Sequence, residues 1–342
     1  MEKLHPFLLP HEWLAKAQLL CDLDGLKADP ITHKGIFSHI AKIAQGLGSP
    51  PSSYLPLGLH CDGLPFGSQI FYSDSLELFN LNFPCGDQGM RIPFTSVQKK
   101  HLVKHATYNA IMEVLAWSLQ KLAAGIFPEA RHDGTAFGPG ETARKNLATH
   151  CQPVRALLVE MRADWAALKQ VFQFPQQNEN SGICWLCYAT PSNFKDTSRT
   201  ATWRQLRRTA VSWHLELARA GKNCPLWSVP GVSSEIVIID WLHCADLGIA
   251  ADIMGNVLLE LVGLMPGGPA ESKANQIKTL WCDLQKDYDG FGNTKGSQVS
   301  WFENEPFYAA KKITKAEGKA AHIRYFVPVL DRCVQSISFE CL

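Results

Sequence analysis

Tyr54-Leu55-Pro56-Leu57-Gly58-Leu59-His60-Cys61-Asp62-Gly63 is the stretch on which the fold is decided. A run of large apolar residues reads as a strand over residues 54–60. It ends in Cys61-Asp62-Gly63, where the chain can turn and a carboxylate is exposed. Residues 69–72 and 76–83 predict two further short strands with a turn between them. Upstream, Gly48-Ser49-Pro50-Pro51-Ser52-Ser53 breaks the chain. Before it, residues 13–20 and 35–47 carry apolar side chains at helical spacing and form an N-terminal helical segment over 1–50.

Working downstream, residues 96–125 read as a helix with Ile111, Val114, Leu115 and Leu119 on one face. Residues 129–153 are polar, hold Gly134, Gly138 and Gly140, and predict an irregular insertion. Residues 155–162 read as a buried strand leading into Ala163-Asp164, and a helix starts at Trp165. Residues 178–230, rich in Cys, Trp, Ser and Arg, read as an inserted subdomain. The β-branched run in Glu235-Ile236-Val237-Ile238-Ile239-Asp240 predicts another strand. A helix over 247–264 follows, stopped by Met265-Pro266-Gly267-Gly268, with further helices over 275–289 and 315–330. Strands alternating with helices predict an α/β protein, with a C-terminal helical segment over 291–342.

Composition narrows the class. The chain has 342 residues, 46 % of them apolar and 19 % charged, which is enough to bury a substantial core. Ten Trp and seventeen Phe argue against disorder. A formal net charge of +1 lacks the basic excess of a compact DNA-binding module, so nucleic-acid contacts would have to be local patches. Eleven Cys without a regular framework do not read as a secreted disulfide scaffold. With no signal-like or membrane-length apolar run, the expectation is a protein of a reducing compartment, nuclear or cytoplasmic, whose thiols are available to metal.

Three carboxylates stand in one context. Asp62, Asp164 and Asp240 each follow a predicted strand, where side chains are exposed on rigid backbone. Converging carboxylates suit Mg²⁺ or Mn²⁺, and two such ions can activate a nucleophile and stabilise a leaving oxygen. The competing reading is that each Asp ends a strand or caps the next helix. In Asp240-Trp241-Leu242-His243-Cys244-Ala245-Asp246, helical spacing would put Asp240, His243 and Asp246 on one face. Cys184-Trp185-Leu186-Cys187 has a spacing that lets two thiolates reach one Zn²⁺, with Cys224, His214, His243 and Cys244 as candidate partners; buried structural cysteines or a redox pair are the alternatives. Basic residues gather at Lys99, Lys100, Lys104 and His105, and again at Lys195, Arg199, Arg204, Arg207 and Arg208 around Trp203. Either group could hold a phosphate backbone or be a solvated face. Neither a phosphate-binding glycine loop nor a nucleophile elbow occurs.

The order of these motifs resembles one family. His60-Cys61-Asp62-Gly63-Leu64-Pro65-Phe66-Gly67 is similar to the TDGFNPFG segment of CACTA-type transposases. Cys184-Trp185-Leu186-Cys187 resembles their CPxC, and Ile239-Asp240-Trp241-Leu242-His243 with Ile253-Met254-Gly255-Asn256-Val257-Leu258-Leu259 resembles their LDVMHIEKN…GTLL. The resemblance spans about residues 54–290. It implies an RNase H-like mixed sheet flanked by helices, with an inserted Cys-containing subdomain. The implied activity is DNA strand cleavage and transfer by a DDE or DDD triad. Asp62 would be the first acid, Asp164 the second, and the third either Asp240, which matches the motif, or Asp246 or Asp252, because such a fold expects its last acid on a helix. Catalytic Mg²⁺ or Mn²⁺ and a structural Zn²⁺ on Cys184, Cys187, Cys224 and His243 follow from it. DNA, as transposon ends and target, would be the partner, with no membrane and with a homo-oligomer left open. The chain is expected to be a fragment or divergent copy of such a protein.

Overall fold

The computed structural model describes residues 5–65, 75–86, 90–174, 184–238, 240, 245 and 249–264, with isolated positions beyond. The chain divides into two units, Met1–Ile238 and Ile239–Leu342.

The first unit is built on β1 (Tyr54–Pro65), whose neighbours are β2 (Ser75–Asn82), antiparallel, and β4 (Arg155–Ala163), parallel. With β3 (Arg91–Gln98) outside β2 and β5 (Val237–Ile238) outside β4, the sheet has the order β3-β2-β1-β4-β5. Period-two alternation gives β1 its two faces. Leu55, Leu57, Leu59 and Cys61 join the main core with Phe79, Phe94, Leu158 and Met161. That face is covered by α3 (Lys104–Ala124), which contributes Met112, Leu115, Leu119 and Leu122. On the other face, α2 (Lys34–Gly46) packs Ile40 and Ala44 against Tyr54, Leu157 and Val159. Beyond α2 this second face turns polar, with Gly58, His60 and Asp62 on β1 beside Asn82 and Asn80 on β2 and Glu160 and Arg162 on β4.

The N-terminal helix α1 (Pro10–Leu20) opens with Pro at its first position, where a missing N–H costs nothing. Its next orphan donor is met from α3, because His11 N–H donates to Ser118 Oγ at 3.2 Å. The same hydroxyl lies 2.7 Å from His11 Nδ1, and both residues are buried. Gly125 ends α3 in left-handed backbone, φ 71°, with Arg155 packed where a Cβ would stand.

Both expected N-terminal helices form, and residues 129–153 are irregular apart from a short helix α4 (Thr142–Leu147). Several expectations need correcting. β1 runs five residues past His60, so Asp62 sits within the strand and not at its end. The third antiparallel strand is β3, where the helical reading had placed residues 96–98. Pro93 hides it in the sequence, and an outer strand is where Pro is tolerated. The strand over 235–240 shrinks to Val237–Ile238: Ser233 Oγ accepts the Glu235 N–H at 3.2 Å and Ser234–Ile236 winds into a 3-10 turn. Residues 69–72 and most of 265–342 lie outside the described residues.

After β4 comes α5 (Trp165–Gln170), and the insert then supplies α6 (Thr202–Gln205) and α7 (Ala210–Arg219). Trp185, Trp213 and Phe174 seal the insert to the core through aromatic contacts 4.9–5.7 Å apart. In the second unit, α8 (Ala251–Leu264) buries Met254, Leu258 and Leu261, one face of a helix.

Candidate functional site

The register of β1 against β4 positions the two leading carboxylates. From Tyr54↔Arg155 to Leu57↔Leu158 the partners keep one offset, and from Gly58↔Glu160 to Cys61↔Ala163 they are shifted by one residue. The extra residue, Val159, is a β-bulge. Had the first offset continued, Asp62 would face Ala163. With the bulge, the register continued by one residue places Asp164 opposite Asp62. Adjacent strands run about 4.8 Å apart, so the two residues are neighbours where β4 ends and β1 runs on to Pro65.

Asp62 is exposed and Asp164 half-buried. Asp164 also caps α5, its Oδ1 accepting the Ala167 N–H at 2.6 Å. The alternative role weighed for each Asp is therefore real at Asp164, which does both things: it follows a strand and starts a helix.

A third carboxylate, not singled out from the sequence, comes from β2. Glu77 pairs in register with Gly63 and is buried against the α3 side of the sheet. Lys99 Nζ lies 3.0 Å from Glu77 Oε1. A Cβ at position 63 would stand 2.9 Å from that ammonium, the movable end of a half-exposed side chain. Glu77 could have been suspected from Leu76-Glu77-Leu78: a charge at an inward position of an otherwise apolar strand calls for a partner.

Electrostatics ties the group together. Burial pushes the Cys61 thiol well above its ordinary range, and Glu77, Asp164 and Asp62 push it further while Lys99 opposes them. Burial, then Glu77, likewise raises the Tyr108 phenol on α3. Cys61 faces the core as a neutral thiol and is no nucleophile.

Asp240 follows β5 by two residues and belongs to the second unit, where it is half-buried. Asp246, His243 and Cys244 lie outside the described residues.

In the insert, Cys184 and Cys187 come together. The two thiols hydrogen-bond to each other, and burial raises Cys187. The Leu186 N–H donates to Cys184 Sγ at 3.3 Å, and the Ala189 N–H donates to Cys187 Sγ. Each sulfur thus accepts the amide two residues on. Cys224 accepts the Leu226 N–H in the same way, but it is buried and pushed up to about 12, chiefly by burial. His214 gives its Nε2 to the Val232 carbonyl at 3.1 Å. Among the described residues no three His, Cys, Asp or Glu side chains are grouped to hold a metal ion.

The second basic cluster separates by burial. Arg208 is buried: it donates to the Cys187 carbonyl at 2.9 Å, pairs with Glu216, and stacks over Tyr188 and Trp213. Arg204 lies over Trp203, 4.5 Å from the ring centre, in an exposed stretch. Comparison with family models and with curated proteins returns no match.

Proposed function

We propose that the chain is the catalytic region of a metal-dependent DNA-cleaving and strand-transferring protein of the DDE type, on an RNase H-like core such as CACTA-type transposases are taken to carry. One observation carries the reading: the Val159 bulge shifts the parallel pairing of β1 and β4 so that, one residue beyond the last pair Cys61↔Ala163, Asp62 within β1 and Asp164 just after β4 fall opposite each other. The sheet order, three antiparallel strands followed by two parallel ones, agrees with that core. The third acid would come from Asp240 or Asp246.

Two carboxylates, one within β1 and one directly after β4, would suit two of the hard oxygen ligands that Mg²⁺ or Mn²⁺ requires. When bound, such a cation supplies a water of lowered pKa and neutralises the leaving oxygen of the phosphodiester. The chain's own residues orient the groups. The Ala167 N–H fixes the Asp164 carboxylate through Oδ1, and the β1 ladder fixes Asp62. The reaction would be attack of water, then of a DNA 3′-hydroxyl, on phosphodiester bonds. Cys184 and Cys187, with thiols together and amides directed at both sulfurs, fit half of a structural Zn²⁺ site. Cys224, expected as a third ligand, is not grouped with the pair among the described residues, and His243 lies outside them.

A second reading, a catalytically inactive nucleic-acid-binding or scaffold protein, draws on the Asp164 cap, a role that needs no metal. Nicking of supercoiled DNA by purified protein in Mn²⁺, with an EDTA control, separates the two. Parent activity that disappears in Asp62→Asn supports the catalytic reading, and equal nicking by both overturns it. DNA binding without nicking by either supports the binder. Zinc content decides the insert: one Zn²⁺ per chain, lost when Cys184 and Cys187 are both Ser, is the expected result. For membranes, no helix among the described residues is long and apolar enough to cross one.

A further inference from the structure

A cavity of about 860 Å³ lies where α1 meets residues 127–128 and 143–153. That volume is in the range of small-molecule sites, roughly 300–1,000 Å³. Its lining is apolar along Ala15, Leu19, Phe127, Leu147 and Pro153. The wall is preformed. The Phe127 N–H donates to the His150 carbonyl at 2.9 Å and the Gln152 N–H to the Gly125 carbonyl at 2.8 Å, which ties the end of α3 to the insertion. Thr149, inside that tie, stands in left-handed backbone at φ 65°, a conformation that a β-branched residue keeps only where its surroundings impose it.

Two polar residues line the cavity at depth, His11 at 1 % exposure and Gln152 at 8 %. Gln152 Nε2 donates to the Ile126 carbonyl at 2.7 Å. A carbonyl can only accept, so the amide is fixed with its nitrogen there and its oxygen on the other side. That oxygen, Oε1, is buried and has no hydrogen-bond partner among the described residues. A buried acceptor left unmet is costly and calls for a reason. His11 Nδ1 is engaged with Ser118 Oγ at 2.7 Å, and its Nε2 is left 4.0 Å from Glu12 Oε1, beyond hydrogen-bond reach. Burial keeps this ring neutral at pH 7. Arg144 in the wall is bound to Glu12 and Glu141, and Lys16 is exposed, so neither offers an unpaired buried charge to an anion.

We infer that this cavity binds an uncharged, largely apolar small molecule carrying one hydrogen-bond donor, a hydroxyl or an N–H, which Gln152 Oε1 accepts. The apolar wall supplies affinity and the orphaned oxygen supplies orientation, the division of labour of small-molecule sites. Gln152 and His11 lie too deep for the flat surface of a protein partner to meet them, which favours a molecule that enters. The inference needs neither metal nor DNA.

The experiment titrates N-phenyl-1-naphthylamine, an uncharged dye with one N–H that brightens in apolar surroundings, into the full chain at pH 7. Its N-methyl analogue, which lacks the donor, is titrated beside it. The parent should bind the dye saturably, one per chain, and several-fold more tightly than the analogue. Gln152→Leu should abolish that preference. Ala143→Trp, at an exposed position lining the cavity, should weaken both compounds at least tenfold. Circular dichroism melts show that each variant is folded, and the comparison of dye with analogue on the parent needs no variant. Equal binding of the two by the parent, or a preference that survives Gln152→Leu, overturns the role of the amide oxygen. Dye binding untouched by Ala143→Trp lies elsewhere on the chain, and no saturable binding leaves the cavity without a small-molecule role; either result overturns the inference.

Discussion

The same residue types, arginine or lysine with glutamate or aspartate, build two different things in this molecule. Where the insertion 129–153 meets α1, Arg144 grips Glu12 with two N–H groups, at 2.5 and 3.2 Å, and Glu141 with a third at 2.6 Å. Arg131 holds the other Glu141 oxygen at 2.5 Å. Its guanidinium partners, with the Gly138 N–H between them, hold Glu141 down to about 2. Around Cys61 of β1, the carboxylates of Glu77, Asp164 and Asp62 and the Lys99 ammonium act on a single buried thiol. The first region matches anion to cation, so its charges are spent on each other. The second gathers more carboxylates than cations around one buried group. That difference, and not the presence of charge, distinguishes a clasp from a candidate site.

The contrast can be broken most directly at Asp62. Asp62→Asn should reduce Mn²⁺-dependent nicking to background while the melting temperature holds or rises, since one of several repelling carboxylates is gone. Arg144→Ala, assayed where it is folded, should leave the nicking rate unchanged. Equal losses in the two variants would erase the distinction between the regions.

A smaller effect belongs to the clasp's buried neighbour. Burial, opposed by Glu12 and assisted by Arg144 and Lys121, pushes His11 down to about 4. Its Nε2 is 4.0 Å from Glu12. The unfolded chain takes up that proton near pH 6.5 and the folded chain only near pH 4, so stability is fully present above pH 6.5 and is lost as pH falls toward 4. The loss should reach roughly 3 kcal/mol, at 1.36 kcal/mol per unit. Urea unfolding at pH 7 and pH 4.5 measures it, and His11→Gln should flatten the difference. Smaller still, Arg144→Ala should lower stability by about 1 kcal/mol, because the guanidinium is partly exposed and screened. Thermal melts at low and high salt, with the gap narrowing at high salt, check the electrostatic origin.

Much of the framework was legible because it depends on local pattern. Helical spacing gave α1 and α2 to within a few residues, and the apolar runs gave β1 and β4. Asp62 and Asp164 could be chosen because each follows such a run. β3 escaped because Pro93 interrupts it and its outer position is a tertiary property. β5 came out short because Ser233 competes for the backbone where six β-branched and acidic residues promise a strand. Glu77 and Lys99 were passed over as partners because they meet only when β2 and β3 fold back on β1.

By itself, then, the sequence determines an α/β protein whose apolar strand runs are followed by carboxylates, with a CxxC in a polar insert. Those features follow from side-chain chemistry at short range. Tertiary structure decided which carboxylate faces which. A single bulged residue, Val159, sets Asp164 and not Ala163 opposite Asp62, and no local propensity marks it, since Leu-Leu-Val-Glu-Met is as good a strand with the bulge as without. Register between distant strands is settled by the packing of both faces at once: Leu157 and Val159 against α2, Leu158 and Met161 against α3. That balance exists only in the assembled sheet.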